Sequence, residues 1–331
     1  MTEPGFLAVR LGSLGDIVHT FPAVAALRES FPSIRIVWLT HPRWKFLVET
    51  SRLADEIRTV DSRSLKSVGA AISQLKQNEF RAAIDYQGLF KSALLPFLGG
   101  VRKRIGFSSE TVREYGVPIL YTDRVRVKST HIADQNGELS QWAGARHRAG
   151  KVELCIPASD EEFVRRVLRG QGIERYLVLS PGGGWRAKCW PADCFGQLAA
   201  RIYKSLGCRC VINYGPGEED LAEMIRASAG DANPIAFCGT LGQLMALLSN
   251  ALCVVAGDTG PLHLADALRT PVVGIYGPTN PERNGLYFQE GSVLRAPNAE
   301  TTHKRLDISH PSLLQISVED VFDVIHKKVA Q

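Results

Sequence analysis

The sequence of 331 residues has no apolar run of about 18 residues, the length that a helix needs to cross a bilayer. Its first residues are too few and too strand-like for a secretory signal, so we expect a cytoplasmic protein. The cysteines are odd in number and scattered, with no CxxC pair and no zinc-site spacing. These absences argue against a membrane-spanning protein, a disulfide scaffold and a zinc protein.

Two motifs of nucleotide enzymes are missing as well. The first loop, RLGSLGDIVHT, lacks the GxGxxG spacing, and the second predicted strand ends in Thr40, His41 and Pro42 rather than in an acid. A dinucleotide-binding dehydrogenase is therefore disfavoured. No DxD pair of carboxylates occurs either, so an enzyme that releases a nucleoside diphosphate has to neutralise it without that metal clamp. We predict no metal and no cofactor.

Positive charge is concentrated in the first half of the chain. The net charge is +7 over residues 1–150 and −2 over residues 151–331, against +5 overall. The basic half favours an acidic substrate, a membrane surface or nucleic acid as partner, although an uneven solvated surface has the same composition. The basic residues are dispersed and no nucleic-acid motif accompanies them, so we predict no nucleic-acid partner.

Apolar strand-like segments alternate with segments of helical periodicity along most of the chain. Predicted strands are 6–11, 34–40, 56–60, 81–85, 176–180, 208–214, 234–238, 252–257 and 271–277; predicted helices include 17–30, 63–77, 159–170, 191–206, 241–250, 260–269 and 317–329. This rhythm predicts two doubly wound α/β domains that face each other across a cleft. We assign 1–157 to the first domain, 158–312 to the second, and 313–331 to a C-terminal helix for which packing back on the first domain is one arrangement.

Ligands of such sheets bind beyond the carboxyl ends of the strands, which directs attention to the loops that follow them. The first of these loops places Asp16 at the start of a helix. A carboxylate there caps the helix or acts as a base toward a substrate in the cleft, and its two oxygens allow both roles.

In the second half, the loop SPGGGWRAKCWP has three successive glycines, Gly182, Gly183 and Gly184, followed by Lys188. Glycines let backbone amides approach a phosphate closely, and the lysine adds positive charge. The alternative is a flexible loop with a surface lysine.

The stretch GDTGPLHLADAL is the most specific motif. Asp258, Thr259 and Gly260 follow an apolar strand and open a helix whose amides favour an anion, while Asp258 can accept sugar hydroxyls. His263 is a ligand contact or a packing residue. In the GPGEE loop, Glu218 is placed to bind ribose hydroxyls or to favour the helix dipole.

One apolar stretch lies close to Lys91. It contains Leu89, Phe90, Leu94, Leu95, Phe97 and Leu98. We favour a core helix over a membrane contact for this stretch.

Taken as a set, the segments RLGSLGDIVHTFPA, PGGGWRAKCWP and GDTGPLHLADALRTPVVGIYGPTNP resemble glycosyltransferase family 9, the ADP-heptose:lipopolysaccharide heptosyltransferases. The form of the first loop is more like heptosyltransferase I than heptosyltransferase II. The resemblance covers roughly residues 6–285. It implies the GT-B fold, with two Rossmann-like domains, and an inverting transfer of L-glycero-D-manno-heptose from ADP-heptose onto Kdo of the lipid A inner core. It also implies peripheral contact with the inner face of the inner membrane.

The resemblance also assigns roles to residues. Asp16 matches the catalytic base, Lys188 the lysine at the donor diphosphate, and Glu218 the acid at the donor ribose. The donor-binding segment corresponds to Asp258, Thr259, Gly260 and His263, with Gly183 and Gly184 beside the diphosphate. For the acceptor, we name Ser13, Gly15, Lys91, Arg104 and His131 as candidates.

The chain departs from the family pattern in HIADQNGEL, where Gln135 stands in the place of an arginine and leaves the acceptor contacts around His131 open. Two other functions stay open as alternatives, besides a family member with a different donor or acceptor. One is a nucleotide-sugar epimerase of the same architecture, which needs no anionic acceptor and so leaves the basic first half unexplained. The other is a non-catalytic nucleotide- or glycolipid-binding protein, against which the joint presence of Asp16, Lys188 and the DTG segment argues.

Overall fold

The computed structural model describes residues 4–112, 114–302 and 307–329. The chain divides into two compact units, Met1–Cys155 and Ile156–Gln331. The boundary lies two residues before the predicted one. Each unit is a parallel sheet covered by helices, as the alternation of strands and helices predicts.

The first unit carries six described strands. They are β1 (Gly5–Val9), β2 (Ile36–Thr40), β3 (Glu56–Thr59), β4 (Phe80–Asp85), β5 (Arg104–Phe107) and β6 (Asp123–Val125). Its helices are α1 (Leu14–Val18), α2 (Phe21–Ser30), α3 (Lys45–Ser51), α4 (Leu65–Lys76), α5 (Phe90–Leu98) and α6 (Ile132–Trp142). The strands pair in the order β3-β2-β1-β4-β5-β6, all in parallel. Helices cover both faces of the central strand β1, and all five of its residues are therefore buried.

The second unit repeats this plan. Its strands are β7 (Tyr176–Ser180), β8 (Arg209–Asn213), β9 (Ile235–Phe237), β10 (Val254–Gly257), β11 (Val272–Tyr276) and β12 (Ser292–Arg295). Its helices are α7 (Ala158–Gly170), α8 (Ala192–Leu206), α9 (Glu219–Ala229), α10 (Leu241–Ser249), α11 (Gly260–Ala267), α12 (Pro281–Asn284) and α13 (Val318–Val329). The sheet order is β12-β11-β10-β7-β8-β9, again all parallel.

Both sheets follow the same winding rule. Within each unit the first three strands are added outward on one side, and the fourth strand returns to the other side of the first. The loops after the first and fourth strands therefore leave the sheet side by side, which creates a crevice at its carboxyl edge. The crevice lies after β1 and β4 in the first unit, and after β7 and β10 in the second.

The C-terminal helix α13 packs within its own unit. It buries Val321, Phe322 and Ile325 in the core of the second unit, against α8. The apolar side chains of α13 recur at helical spacing on one face, and this face packs in the same core as the apolar side chains of α8.

Helix α5 is not a core helix. Its inner side buries Ala93 and Leu95, but four large apolar side chains are 40–45% exposed. These are Phe90, Leu94, Phe97 and Leu98. Apolar composition alone does not tell which side of a helix has a neighbour to pack against.

Candidate active site

In the first unit, Asp16 lies in α1, three residues after the N-cap residue Ser13. One carboxylate oxygen, Oδ2, accepts hydrogen bonds from the Ser13 backbone N–H (3.0 Å) and hydroxyl (2.9 Å). The other, Oδ1, lies 2.7 Å from Arg10 Nη2. Asp16 is therefore a capping-box acid rather than the cap itself, and it divides its two oxygens between helix and guanidinium. Its side chain remains 40% exposed, enough for a substrate hydroxyl to reach it.

The electrostatic environment keeps Asp16 ionised. Desolvation works to raise its pKa, but the Arg10 guanidinium and the two hydrogen bonds from Ser13 outweigh it and lower the pKa to about 2. Arg10 itself is buried, and it also donates to the Tyr86 carbonyl in the loop after β4. One guanidinium thus holds the carboxylate of one crevice loop and the backbone of the other. The sequence pattern alone does not single out Arg10; its place at the end of β1, facing the next helix, is the only hint.

Further contacts fix the same two loops. The Leu11 backbone N–H donates to Gln87 Oε1 (2.8 Å). Gly12 has a φ of +152°, and a Cβ added there would lie 2.7 Å from Trp44 Nε1, so glycine is required at this position. These contacts define the path of the chain into α1 and hence the position of Asp16.

A buried carboxylate, Asp85, anchors the loop after β4. It accepts the Tyr121 hydroxyl (2.7 Å), the Ser92 hydroxyl (2.9 Å) and the backbone N–H groups of Gln87 (2.9 Å) and Gly88 (3.2 Å). Burial nevertheless raises the pKa of Asp85. Asp85 is thus a structural acid that holds the loop between β4 and α5 in place.

The candidate acceptor residues fall into different settings. Ser13 supports Asp16, Gly15 is buried within α1, and Lys91 is exposed at the start of α5, beside the crevice. Arg104 begins β5, at the end of the strand away from the crevice loops, and its guanidinium donates to the Leu120 and Val101 carbonyls. The structure therefore does not bring Arg104 to Asp16.

His131 lies against His19, the residue that follows the helix of Asp16. It caps α6, and its ring makes an edge contact with the ring of His19, with centroids 5.2 Å apart. His19 follows α1 directly and contributes to the low pKa of Asp16. Gln135, at the position of the family's arginine, donates its amide to the Ser129 and Thr130 carbonyls. It braces the loop that precedes His131.

In the second unit, the residues predicted from separate motifs form one buried cluster. Lys188 Nζ lies 2.8 Å from Asp258 Oδ2 and 3.3 Å from the Asp258 carbonyl oxygen. The other carboxylate oxygen, Oδ1, lies 3.0 Å from His263 Nε2. Lys188 follows β7 and Asp258 follows β10, so this ion pair spans the crevice of the second sheet. His263 is thus a partner of Asp258 as well as a packed side chain.

The cluster stabilises the charge of a carboxylate that is almost wholly buried. Burial by itself raises the pKa of Asp258, but the His263 and Lys188 side chains together bring the pKa well below its ordinary value. Lys188 keeps donor capacity in this arrangement, because an ammonium has three N–H donors and Asp258 engages two. Its ammonium also lies over the Trp185 ring, 5.5 Å from the centroid.

The glycine loop packs against the other acidic and helical elements. A Cβ added at Gly182 would lie 2.4 Å from Glu218 Oε1, and one added at Gly183 would lie 3.0 Å from Cys189 Sγ and 3.4 Å from Thr259 Cγ2. A side chain at Gly182 would displace the Glu218 carboxylate, and one at Gly183 would require Cys189 or Thr259 to shift, whereas a Cβ at Gly184 meets nothing within 4 Å. The structure brings Glu218, and not the more exposed Glu219, against the glycine loop.

The N-terminus of α11 completes the cluster. Thr259 is its N-cap residue and Gly260 its first residue, so the free amides of this helix turn lie next to Asp258. A cation, a helix N-terminus and a glycine loop suit an anion such as a diphosphate, and a neighbouring carboxylate suits hydroxyl groups. Of the residues predicted for the second domain, all eight lie at this crevice: Gly183, Gly184, Lys188, Glu218, Asp258, Thr259, Gly260 and His263.

Over the described ranges, no group of three or more His, Cys, Asp or Glu side chains is placed to hold a metal ion. Among the same residues, every helix is too short or too polar to traverse a bilayer.

Two doubly wound sheets, one with an ionised acid and the other with an anion-type site at its crevice, are the arrangement of the GT-B fold, which nucleotide-sugar glycosyltransferases share with nucleotide-sugar epimerases. The sequence profile of glycosyltransferase family 9 (heptosyltransferase) matches residues 68–311. The chain belongs to this family, which confirms the resemblance of its motifs.

Individual relatives cover nearly the whole chain. The lipopolysaccharide core heptosyltransferase OpsX of Haemophilus influenzae is 25% identical over 290 residues, 86% of this chain and 82% of OpsX. Lipopolysaccharide heptosyltransferase 1 of Escherichia coli O18:K1:H7 is 27% identical over 307 residues, 89% of this chain and 92% of that protein. The structure of the E. coli heptosyltransferase WaaC with ADP superposes with a TM-score of 0.77 at 24% identity, over 98% of this chain and 99% of WaaC. WaaC has also been solved with ADP-2-deoxy-2-fluoro heptose.

Arg10→Met tests the control that Arg10 exerts on Asp16. We expect the pKa of Asp16 to rise from about 2 toward its ordinary value, because the positive charge that stabilises its carboxylate is lost. The base form is then lost at a higher pH, so the acid limb of the kcat/KM profile moves upward. We also expect kcat to fall roughly 10- to 100-fold, the value of a charge-assisted hydrogen bond.

The matched control is Arg28→Met, which removes another Arg–Asp pair of the same unit, with Asp55. It should leave the acid limb in place. Thermal unfolding of both variants separates a loss of the fold from a loss of the contact that positions Asp16. An unmoved acid limb in a folded Arg10→Met protein contradicts the assignment.

Lys188→Ala tests the anion site. We expect ADP to bind roughly 10- to 100-fold more weakly, because one charge-assisted contact to phosphate is lost. Isothermal titration calorimetry measures this, with Lys204→Ala, an exposed lysine of α8, as the control. An ADP affinity that Lys188→Ala leaves unchanged would show that the lysine does not contact phosphate.

Proposed function

We propose that this protein is an inverting heptosyltransferase that moves L-glycero-D-manno-heptose from ADP-heptose to Kdo of the lipid A inner core. The observation that carries the proposal is the Lys188–Asp258–His263 cluster, which joins the glycine loop and the start of α11 at one crevice. Membership of the heptosyltransferase family supports the sugar, and the names of the relatives support lipopolysaccharide as the acceptor class.

On the donor side, the remaining N–H of Lys188 and the amides near Gly183, Gly184, Thr259 and Gly260 offset the charge that ADP gains as it leaves. Glu218 beside the glycine loop is positioned for the hydroxyls of the adenosine ribose. Asp258 can still accept a sugar hydroxyl, because each carboxylate oxygen has two acceptor sites, and Lys188 uses one site on Oδ2 and His263 one site on Oδ1. No metal is needed in this scheme, because Lys188 and the backbone amides offset the charge of the leaving ADP.

On the acceptor side, Asp16 accepts the proton of the attacking Kdo hydroxyl as that oxygen bonds to the anomeric carbon. The transition state resembles an oxocarbenium ion, as in other glycosyl transfers. A low pKa keeps the carboxylate ionised at neutral pH, and the hydroxyl becomes acidic only as its new bond forms. Arg10 orients this base. Arg10 pairs with Oδ1 and Ser13 donates to Oδ2. Lys91 and His131 remain the candidates for contacts with the acidic acceptor.

The acceptor proposed here is a membrane glycolipid, so we place the reaction at the inner face of the inner membrane, with the protein as a peripheral partner. The excess of positive charge in residues 1–150 supports an anionic acceptor on the first unit. An epimerase acts on the donor alone, so an epimerase activity leaves this excess of positive charge unexplained.

A donor-selection assay tests this function. Purified protein is incubated with Kdo-lipid A and with ADP-heptose, a UDP-sugar or a GDP-sugar, and products are identified by mass spectrometry. We expect heptosylated product from ADP-heptose alone, at an undiminished rate in EDTA. An altered sugar nucleotide without acceptor would indicate an epimerase. Loss of turnover in EDTA, restored by a metal, would overturn metal independence.

Asp16→Asn and Asp16→Ala test the base. We expect turnover to fall by about 10²–10⁴-fold, the usual contribution of a general base, while ADP-heptose still binds. Turnover is measured with saturating substrates, and donor binding by calorimetry. Near-wild-type turnover in either variant would remove Asp16 from this role.

A further inference from the structure

The outward side of α5 carries apolar side chains without cover. Phe90, Leu94, Phe97 and Leu98 are 40–45% exposed, and Ile119, on the turn Val117–Leu120, is 74% exposed. Tyr115, just before that turn, is 96% exposed. We call these six residues the α5 face. Large apolar side chains gathered on one surface mark a site that binds a partner or a membrane.

The six residues lie on one continuous and well-supported surface. Helix α5 packs directly on the turn Val117–Leu120, and a Cβ added at Gly116 would lie 3.4 Å from Phe90 Cζ. Beneath the surface, Ala93, Val117 and Tyr121 form a small buried cluster. Tyr121 is in turn held by Asp85. The inner contacts hold the helix and the turn together, so the outer side chains lie on two packed and adjacent elements.

Positive charge lies beside the α5 face. Residues 89–126 contain seven Lys and Arg against three Asp and Glu. Lys91 shares the exposed side of α5, the Arg104 guanidinium lies 5.3 Å from the Phe97 ring centroid, and Arg102 and Lys103 are exposed just beyond the helix.

The three acidic side chains of this segment are already engaged. Glu114 accepts from the Phe90 backbone N–H, Asp123 accepts from Trp142 and lies 3.9 Å from Lys103, and Glu110 pairs with Arg126. They reduce the positive charge around the patch only in part. An apolar patch with cations beside it matches the interface of an anionic bilayer, where apolar side chains enter the acyl region and lysine and arginine reach phosphate groups.

We propose that the α5 face docks this protein onto an anionic lipid bilayer. The position of the face supports this occupant, and here the inference rests on the proposed function with its lipid-linked acceptor. Helix α5 starts directly after the loop that Arg10 and Leu11 tie to the Asp16 loop. Its nine residues span about 13 Å, so the docked helix lies within one helix length of the crevice that holds the base.

Vesicle binding of the full chain tests the docking directly, without any sugar substrate. The protein is sedimented with vesicles of phosphatidylcholine alone and of phosphatidylcholine mixed with phosphatidylglycerol. We expect binding to the mixed vesicles that weakens with added salt, and much weaker binding to the neutral ones, because the cations contribute only at an anionic surface.

Two double variants separate the apolar and the electrostatic contributions. Leu94→Gln with Leu98→Gln should weaken binding to mixed vesicles by at least about tenfold, because less apolar surface enters the bilayer. Arg102→Gln with Lys103→Gln should weaken it by roughly 25-fold, at about fivefold for each cation. The matched control is Leu65→Gln with Lys66→Gln, which changes an exposed leucine and an exposed lysine at the start of α4 in the same unit. It should bind like the wild type.

Activity supplies a second readout. The leucine variant should transfer sugar normally to a deacylated, water-soluble acceptor, and more slowly to the same acceptor held in vesicles. Its thermal unfolding is compared with that of the control variant; if it is unstable, the cation variant alone decides the question.

Three outcomes would overturn the proposal. They are a wild-type protein that does not bind mixed vesicles, variants of the α5 face that bind like the control, and a dimer in solution that the leucine variant abolishes without any vesicle binding. The last would assign the face to a second copy of the chain. Failure of the proposed function appears separately, as vesicle binding without heptose transfer.

Discussion

In each unit the chain reverses the direction of strand addition once, and the loops on either side of that reversal leave the sheet next to each other. This constraint positions the charged pairs of both crevices. In the first unit it brings the Arg10–Asp16 pair beside the loop of Gln87. In the second it brings Lys188 to Asp258, 70 residues further along the chain. Parallel strands have their carboxyl ends at one edge, so residues far apart in sequence converge there without any local motif that joins them.

The four acids with the most informative surroundings divide into two kinds. Asp16 and Asp258 each face a cation, and the pKa of each is lowered, so both stay charged at a crevice. Asp85 and Asp266 are held by neutral N–H and O–H donors, and burial raises the pKa of each. Asp266, inside the most specific motif, accepts from the backbone of Tyr287 and Phe288 and so fixes a loop. The same motif therefore contains one acid that fixes a loop, Asp266, and one that faces a cation, Asp258.

Local patterns in the sequence predict most of the scaffold. The strand 176–180 has the predicted bounds, and the helices 159–170 and 191–206 differ by one residue at one end. Buried parallel strands and amphipathic helices leave strong periodic patterns, and Gly and Pro mark where they stop. The short strand β12 and helix α3 are missed because neither has a run long enough to show a period. The two-domain α/β architecture follows from the alternation alone.

The sequence by itself determined the fold class, the family and the residue types of the site in the second unit, because these depend on local spacing and on motifs. Only the tertiary structure decided which partners those residues have. It paired Lys188 with Asp258, set Glu218 against the glycine loop, and gave Asp16 a buried arginine. It also placed Arg104 away from the crevice, packed α13 in the core of the second unit and left the α5 face exposed. Burial and charge pairing are properties of neighbours in space, and the neighbours of a residue are set by the winding of the sheet.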